Sequence, residues 1–388
     1  MGYFRSVKNK RLLTPSAKSG RRPGLSAFRR TLFAGAVAAV GLFGTQSVCA
    51  QSIPGTGACG PANWVVLETQ PDSVPVYYVN RSAVSIVLGQ PRIFPFYGDT
   101  VVRAYVPQTA VAPGDSVAIW VAVRTVHNLI NRTPIFIPTN HPTGPVVINP
   151  TYQGRYSKAY YTATENLEEG PLRNALKTIV TANALSLGYN TARDHMYGTI
   201  DNVAGQVECV YTGRVATFNT RAGAVTNDFN CEHTFPQSFF GSANPMQSDL
   251  HHLFSTDESA NTYRSNLPFG VVTGTPTWQV GGSKKGNGVF EPRDVHKGNA
   301  GRALLFFVVR HQDYANFVAP QEVLLRQWHR QFLPVAKDIA RNNAIYSLQG
   351  NRNPLVDYPQ FERRITQFIG PSYKTIAMAA ETTEDTLQ

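Results

Sequence analysis

A chain of 388 residues, 42% of them hydrophobic, has the length for two or three globular domains and an ordinary globular composition. Its formal net charge of +11 comes mostly from the first 50 residues, which hold nine Lys/Arg and no Asp/Glu; the remaining 27 basic residues face 25 acidic ones. Overall charge therefore does not imply a nucleic-acid partner, which would need a local basic patch. The four cysteines, Cys49, Cys59, Cys209 and Cys231, form no CxxC pair, which argues against a zinc ribbon or a thioredoxin-like motif.

Residues 1–50 read as an export signal. Met1–Arg30 is a basic leader, Thr31–Gly44 an apolar run too short for a membrane anchor, and Val48-Cys49-Ala50 a small-residue cleavage site. Phe28-Arg-Arg-Thr-Leu-Phe33 resembles a twin-arginine signal, and Sec-type export fits equally well. The mature chain is expected to start near Gln51, secreted or periplasmic, without stable membrane association.

Residues 53–150 are rich in Val, Ile, Tyr, Thr, Pro and Gly, with short β-like runs at 64–68, 76–79, 84–88, 101–106, 117–123 and 134–137. Turn residues separate them, and the pattern predicts a small β-sandwich accessory domain. His127 and His141 read there as packing or loop residues.

From Tyr156 the signals turn helical, opening a domain that spans 156–370. Pro171 starts a helix whose apolar face is Leu172, Leu176, Ile179 and Val180, ended by Gly188. Val207–Val215 reads as a strand. Asp228–Glu232 and Asp249–Phe254 read as two further strands, followed by a capping box from Ser255 to Glu258 and a helix that ends by Pro268. Gly281–Gly288 reads as a flexible loop that could touch a nucleic-acid backbone through Lys284 and Lys285; it is not a P-loop. Ala300–Arg310, Glu322–Phe332 and Pro334–Asn343 are helical, and 375–388 is a polar tail.

The stretch Asn230–Asn266 concentrates titratable and amide side chains. The Glu232 carboxylate and the Asn261 amide oxygen are hard donors suited to Mg²⁺, Mn²⁺ or Ca²⁺. His233 can be a neutral base near pH 7, with an acid limb below about pH 6 for an unperturbed imidazole. Arg264 can bind phosphate oxygens bidentately or pair with a buried carboxylate. Neighbours on a strand face opposite ways, so Glu232 and His233 would approach a phosphate from two sides, as in-line displacement requires. A zinc site from Cys231, His233, His251 and His252 is the competing arrangement, but it leaves Glu232 and Asn261 unused.

Glu-His-Thr-Phe-Pro-Gln at 232–237, Ser-Asp-Leu-His-His-Leu at 248–253 and Asn261-Thr-Tyr-Arg-Ser-Asn266 stand in one order. With Phe290-Glu-Pro-Arg-Asp294 and Gln349-Gly-Asn-Arg-Asn-Pro354, the chain over 156–363 resembles the bacterial endonuclease I family. The resemblance implies an α+β domain with a ββα-metal (His-Me) finger, general base His233, metal ligands Glu232 and Asn261, and hydrolysis of DNA and RNA without sequence specificity to 5′-phosphates. Arg293 and Arg352, inside the last two motifs, are then candidates for backbone contacts. Phe235, Cys231 and Ser255 depart from the family's usual Trp, Arg and Pro. The rival reading is a non-catalytic nucleic-acid-binding or adhesion protein on the same fold. In an oxidising compartment Cys209 and Cys231 could form a disulfide that pins the Glu232 strand.

Overall fold

The computed structural model describes residues 47–51, 56–61, 64–68, 72–93, 101–107, 110–142, 144–314 and 316–369. Most of the expected export signal and the polar tail 375–388 lie outside the described residues. Ser47–Gln51, which spans the expected cleavage point, is a strand paired with Thr56–Pro61.

The first part of the chain is all strand, as its alternation predicts. In Ser116–Arg124 the residues Val117, Ile119, Val121 and Val123 face inward and are buried. This strand lies between Asp72–Asn80 and Val101–Tyr105 in a five-stranded antiparallel sheet. Smaller sheets surround the same core, which gathers Trp64, Val66, Tyr78, Ile119, Ile137 and Tyr152. Each fully buried Val or Ile contributes roughly 1.5–3 kcal/mol to this core. Strand structure continues to Thr151–Arg155, which pairs in parallel with Trp64–Leu67.

A second core spans Tyr156 to Phe368. Its spine is the helix Asp294–Arg310, longer at its start than the predicted Ala300–Arg310 and buried almost throughout. Two glycines let it approach the helix Glu322–Gln331. A Cβ on Gly298 would lie 2.2 Å from the Phe332 carbonyl oxygen, and one on Gly301 2.7 Å from that of Leu325. Tyr156 stacks on Tyr358 at 3.7 Å, and Arg364 donates to Thr164 O at 2.9 Å and to the Asn128 side chain, tying the strand-rich part to the helical one.

Three elements differ from expectation. The helix Glu169–Ala182 stops well before Gly188, which instead precedes the helix Tyr189–His195. The run 207–215 is two short strands, Gln206–Glu208 and Val215–Thr217, joined by a turn in which Gly213 takes φ +76°. The stretch 281–288 is no loose loop: Trp278–Val280, Ser283–Gly286 and Val289–Glu291 form an antiparallel meander.

Candidate active site

Phe229–His233 pairs antiparallel with Leu253–Asp257, with Glu232 opposite Phe254 and His233 opposite Leu253. The helix Glu258–Arg264 follows the second strand directly. That strand was expected at 249–254, but Asp249–His252 is a turn. The Asp249 carboxylate is held by Arg310, by His311 at 2.9 Å and by Gln349 at 2.8 Å, and the His252 amide closes back on the Asp249 carbonyl. Ser255 is no helix cap. Its N–H and hydroxyl both donate to Asp201 Oδ2 at 2.9 Å, which keeps it in the ladder, and the helix begins only after Asp257.

Glu232 is 1% exposed, and one of its oxygens is fully engaged. Oε1 accepts from the Tyr211 hydroxyl at 2.6 Å and lies 3.2 Å from the Arg264 guanidinium. Burial pushes this carboxyl above the usual carboxylate range, with Arg264 and Tyr211 working against it. Anchored through Oε1, the carboxylate has Oε2 left for a cation, and Glu232 lines an open groove with Asn230, His233, Gln237, Asn261 and Thr262.

Arg264, a candidate phosphate contact from the sequence, is 1% exposed. Beyond this ion pair with Glu232, it donates to Ser265 O at 2.8 Å and Thr234 O at 2.6 Å, and it lies over the Phe269 ring. The pairing with a buried carboxylate is the alternative its geometry shows. Removing it would strand a buried negative charge, a change that typically costs 3–5 kcal/mol.

His233 lies 5.3 Å from the Tyr189 ring and 5.4 Å from that of His252. Its Nε2 sits 3.0 Å from the Gln247 carbonyl oxygen. A carbonyl only accepts, so Nε2 carries the proton and Nδ1 is the basic nitrogen. Burial, reinforced by His252, Arg264 and Arg193, lowers this imidazole to about 3. It is neutral at physiological pH, and the acid limb near pH 6 expected of a free imidazole does not apply to it.

Asn261 Nδ2 donates to Asn230 Oδ1 at 2.9 Å. That bond fixes the amide's orientation and turns its oxygen away from Asn230, on the helix that borders the groove. Among the described residues no three His, Cys, Asp or Glu side chains cluster to hold a metal ion. The zinc arrangement therefore does not form: His251 and His252 are both buried, bonded to the carbonyls of Asn351 and Met246. One carboxylate and one amide oxygen on an open groove suit a hard cation that keeps several waters, as Mg²⁺ does.

The remaining predicted residues lie elsewhere. Arg293 pairs with Glu208 at 2.9 Å, and Arg352 binds Asp357 at 2.5 and 2.7 Å and Asn343 at 2.6 Å, so both guanidinium groups are tied into the fold. Lys284 and Lys285 stand on the meander, Lys285 5.8 Å over the Tyr263 ring. Cys209 and Cys231 are free and buried, and the expected disulfide is absent. The Cys209 sulfur accepts instead from the Asp257 N–H at 3.1 Å, and Cys231 packs against Met196. Sequence reasoning missed Tyr211, Asn230 and the Gln247 carbonyl. Asn230, beside the Cys-Glu-His run, was the one within reach.

An α+β core that brings a buried carboxylate, an amide oxygen and a carbonyl-anchored histidine to one groove places the chain among the nuclease hydrolases, which its relatives bear out. Residues 170–360 match the Endonuclease I family model, and the chain belongs to that family. It is 29% identical to the extracellular ribonuclease of Bacillus subtilis (strain 168), over 53% of this chain and 77% of that protein. The extracellular ribonuclease of Bacillus amyloliquefaciens is 28% identical, over 58% and 82%. An extracellular deoxyribonuclease of Aeromonas hydrophila is 32% identical over 29% of this chain and 51% of its own length. No helix among the described residues is long and apolar enough to cross a membrane.

Proposed function

We propose that the protein is an exported, metal-dependent endonuclease that hydrolyses phosphodiester bonds of DNA and RNA without sequence specificity. The observation that carries this reading is the pair of differently anchored neighbours on one strand. Glu232 is held through Oε1 by Tyr211 and Arg264, and His233 through Nε2 by Gln247. With Nε2 donating to a carbonyl, His233 Nδ1 takes a proton from the attacking water, and the imidazolium so formed keeps the Gln247 carbonyl as its partner. Glu232 and Asn261 would hold Mg²⁺, with Mn²⁺ or Ca²⁺ as substitutes. When bound, the metal supplies Lewis-acid stabilisation of the phosphate and the departing oxygen. Arg264 and Tyr211 keep the carboxylate oriented, and Asn230 does the same for the Asn261 amide. Extracellular relatives and the expected leader support export.

Plasmid cleavage with and without chelator tests the reading. Chelator is expected to abolish cleavage, and Asn261→Ala to raise the Mg²⁺ concentration needed for half-maximal rate, with excess Mg²⁺ restoring part of the activity. Cleavage that ignores chelators would remove the metal from the mechanism.

Tyr211→Phe deletes one of the two groups on Glu232 Oε1. Loss of such an outer partner weakens metal binding by about 10- to 100-fold. Calorimetric titration with Mn²⁺ reads this directly, and an unchanged dissociation constant would leave Tyr211 without a positioning role.

A further inference from the structure

We propose that Arg193 grips the substrate phosphate on the side from which His233 delivers water, a role that rests on the nuclease reading above. The proposal starts from how the arginines near the groove are used. Arg264 lines the groove, but it is paired with Glu232 and donates to two carbonyls. Arg193, in the last turn of the helix Tyr189–His195, has no carboxylate partner among the described residues. Its one side-chain hydrogen bond among the described residues, at 2.7 Å, goes to the neutral side chain of Asn190. The acid next to it, Asp194, is already taken by Arg221 at 2.6 Å.

Position follows from the rings. The Arg193 guanidinium lies 4.2 Å over the Tyr189 ring, and that ring lies 5.3 Å from the His233 ring. Cys231 lies two residues from His233, on the same face of the strand. Cys231 lines the groove but is buried and uncharged, so it brings no positive charge to that face. The Tyr189 ring thus links the Arg193 guanidinium to the His233 ring.

The guanidinium still has binding capacity. Arg193 Nε is buried and donates to nothing among the described residues. A buried donor without an acceptor typically costs about 1–3 kcal/mol, a cost that an incoming acceptor relieves. A guanidinium stacked on a ring keeps its in-plane N–H edge, the edge that matches two oxygens of a phosphate. Metal on the Glu232 face and arginine on the His233 face would then hold the phosphate from both sides.

The test uses the full-length protein in Mg²⁺. Arg193→Gln is expected to lower kcat/KM for plasmid DNA on the order of 10- to 100-fold, the loss typical of a charge-assisted contact. Duplex binding, measured in a His233→Ala background so that nothing is cut, should lose about 0.9 from the slope of log affinity against log salt. Arg193→Lys should restore that slope but only part of kcat/KM, since it keeps the charge and loses the fork. Parental kcat/KM and slope in Arg193→Gln would overturn the proposal. So would equal damage in both variants with an unchanged slope and a lowered thermal midpoint, the mark of a structural arginine. A parent protein that cuts nucleic acid with no dependence on Mg²⁺ or His233 would instead bring down the reading on which the proposal rests.

Discussion

His233→Ala is expected to lower the turnover number for plasmid DNA by about 10²- to 10⁴-fold, the usual contribution of a positioned general base. The reason lies in the Gln247 carbonyl, which holds Nε2–H and leaves Nδ1 free of a proton. Burial keeps the ring neutral at physiological pH, so no deprotonation step precedes catalysis. DNA affinity in Mg²⁺ should change little, because the cation ligands lie on the opposite face of the strand. Added imidazole should restore part of the lost rate, since the deletion leaves a ring-sized space between Tyr189, Phe240 and His252. Thermal unfolding of the variant separates this outcome from simple misfolding. A folded variant that cleaves at the parental rate would end the assignment of His233 as the base.

Glu232, His233 and Asn261 were legible because their chemistry sits within one short stretch and needs only residue types and periodicity to be noticed. What orients them was not. Tyr211 reaches Glu232 from 21 residues away, and its role depends on burial that no local pattern records. Arg264 could be read either way, as a phosphate ligand or a carboxylate partner, and only the fold shows it buried beside Glu232. The second strand was misplaced for a similar reason. Asp249-Leu-His-His alternates like a strand, but Arg310 and His311, about sixty residues on, capture the Asp249 carboxylate and hold a turn there. Ser255 matched a capping box in sequence and lost that role to Asp201, 54 residues earlier. In the first part of the chain the predicted strands emerged at close to their expected places, because alternation is local and burial of one face enforces it.

Acid is expected to unfold the protein well before its carboxylates titrate, because four histidines besides His233 are buried uncharged. Burial is the largest cause in each case. It lowers His251 and His252 to about 4, His329 to about 4 and His296 to about 3. Arg341, Arg293, Arg302 and Lys337 add to the effect at His296, whereas Asp249 opposes it at His251 and His252. An unfolded histidine titrates near 6.5. Between that value and the folded one, the unfolded chain binds a proton that the folded chain refuses, so stability falls as pH falls. Each histidine then removes about 1.4 kcal/mol per pH unit, or roughly 2 kcal/mol from pH 6.5 to 5. Four together remove on the order of 8 kcal/mol, comparable to the whole stability of a typical domain. Asp249, held well below the usual carboxylate range by Arg310 and His311, adds a further loss only as pH drops through about 4, where its unfolded form protonates. Urea unfolding at pH 7, 6 and 5 measures the slope. His296→Leu should flatten it by about 1.4 kcal/mol per unit, since it deletes one titrating ring whose buried Nε2 has no partner among the described residues. Stability that stays level from pH 7 to 5 would mean that these rings accept protons in the folded protein.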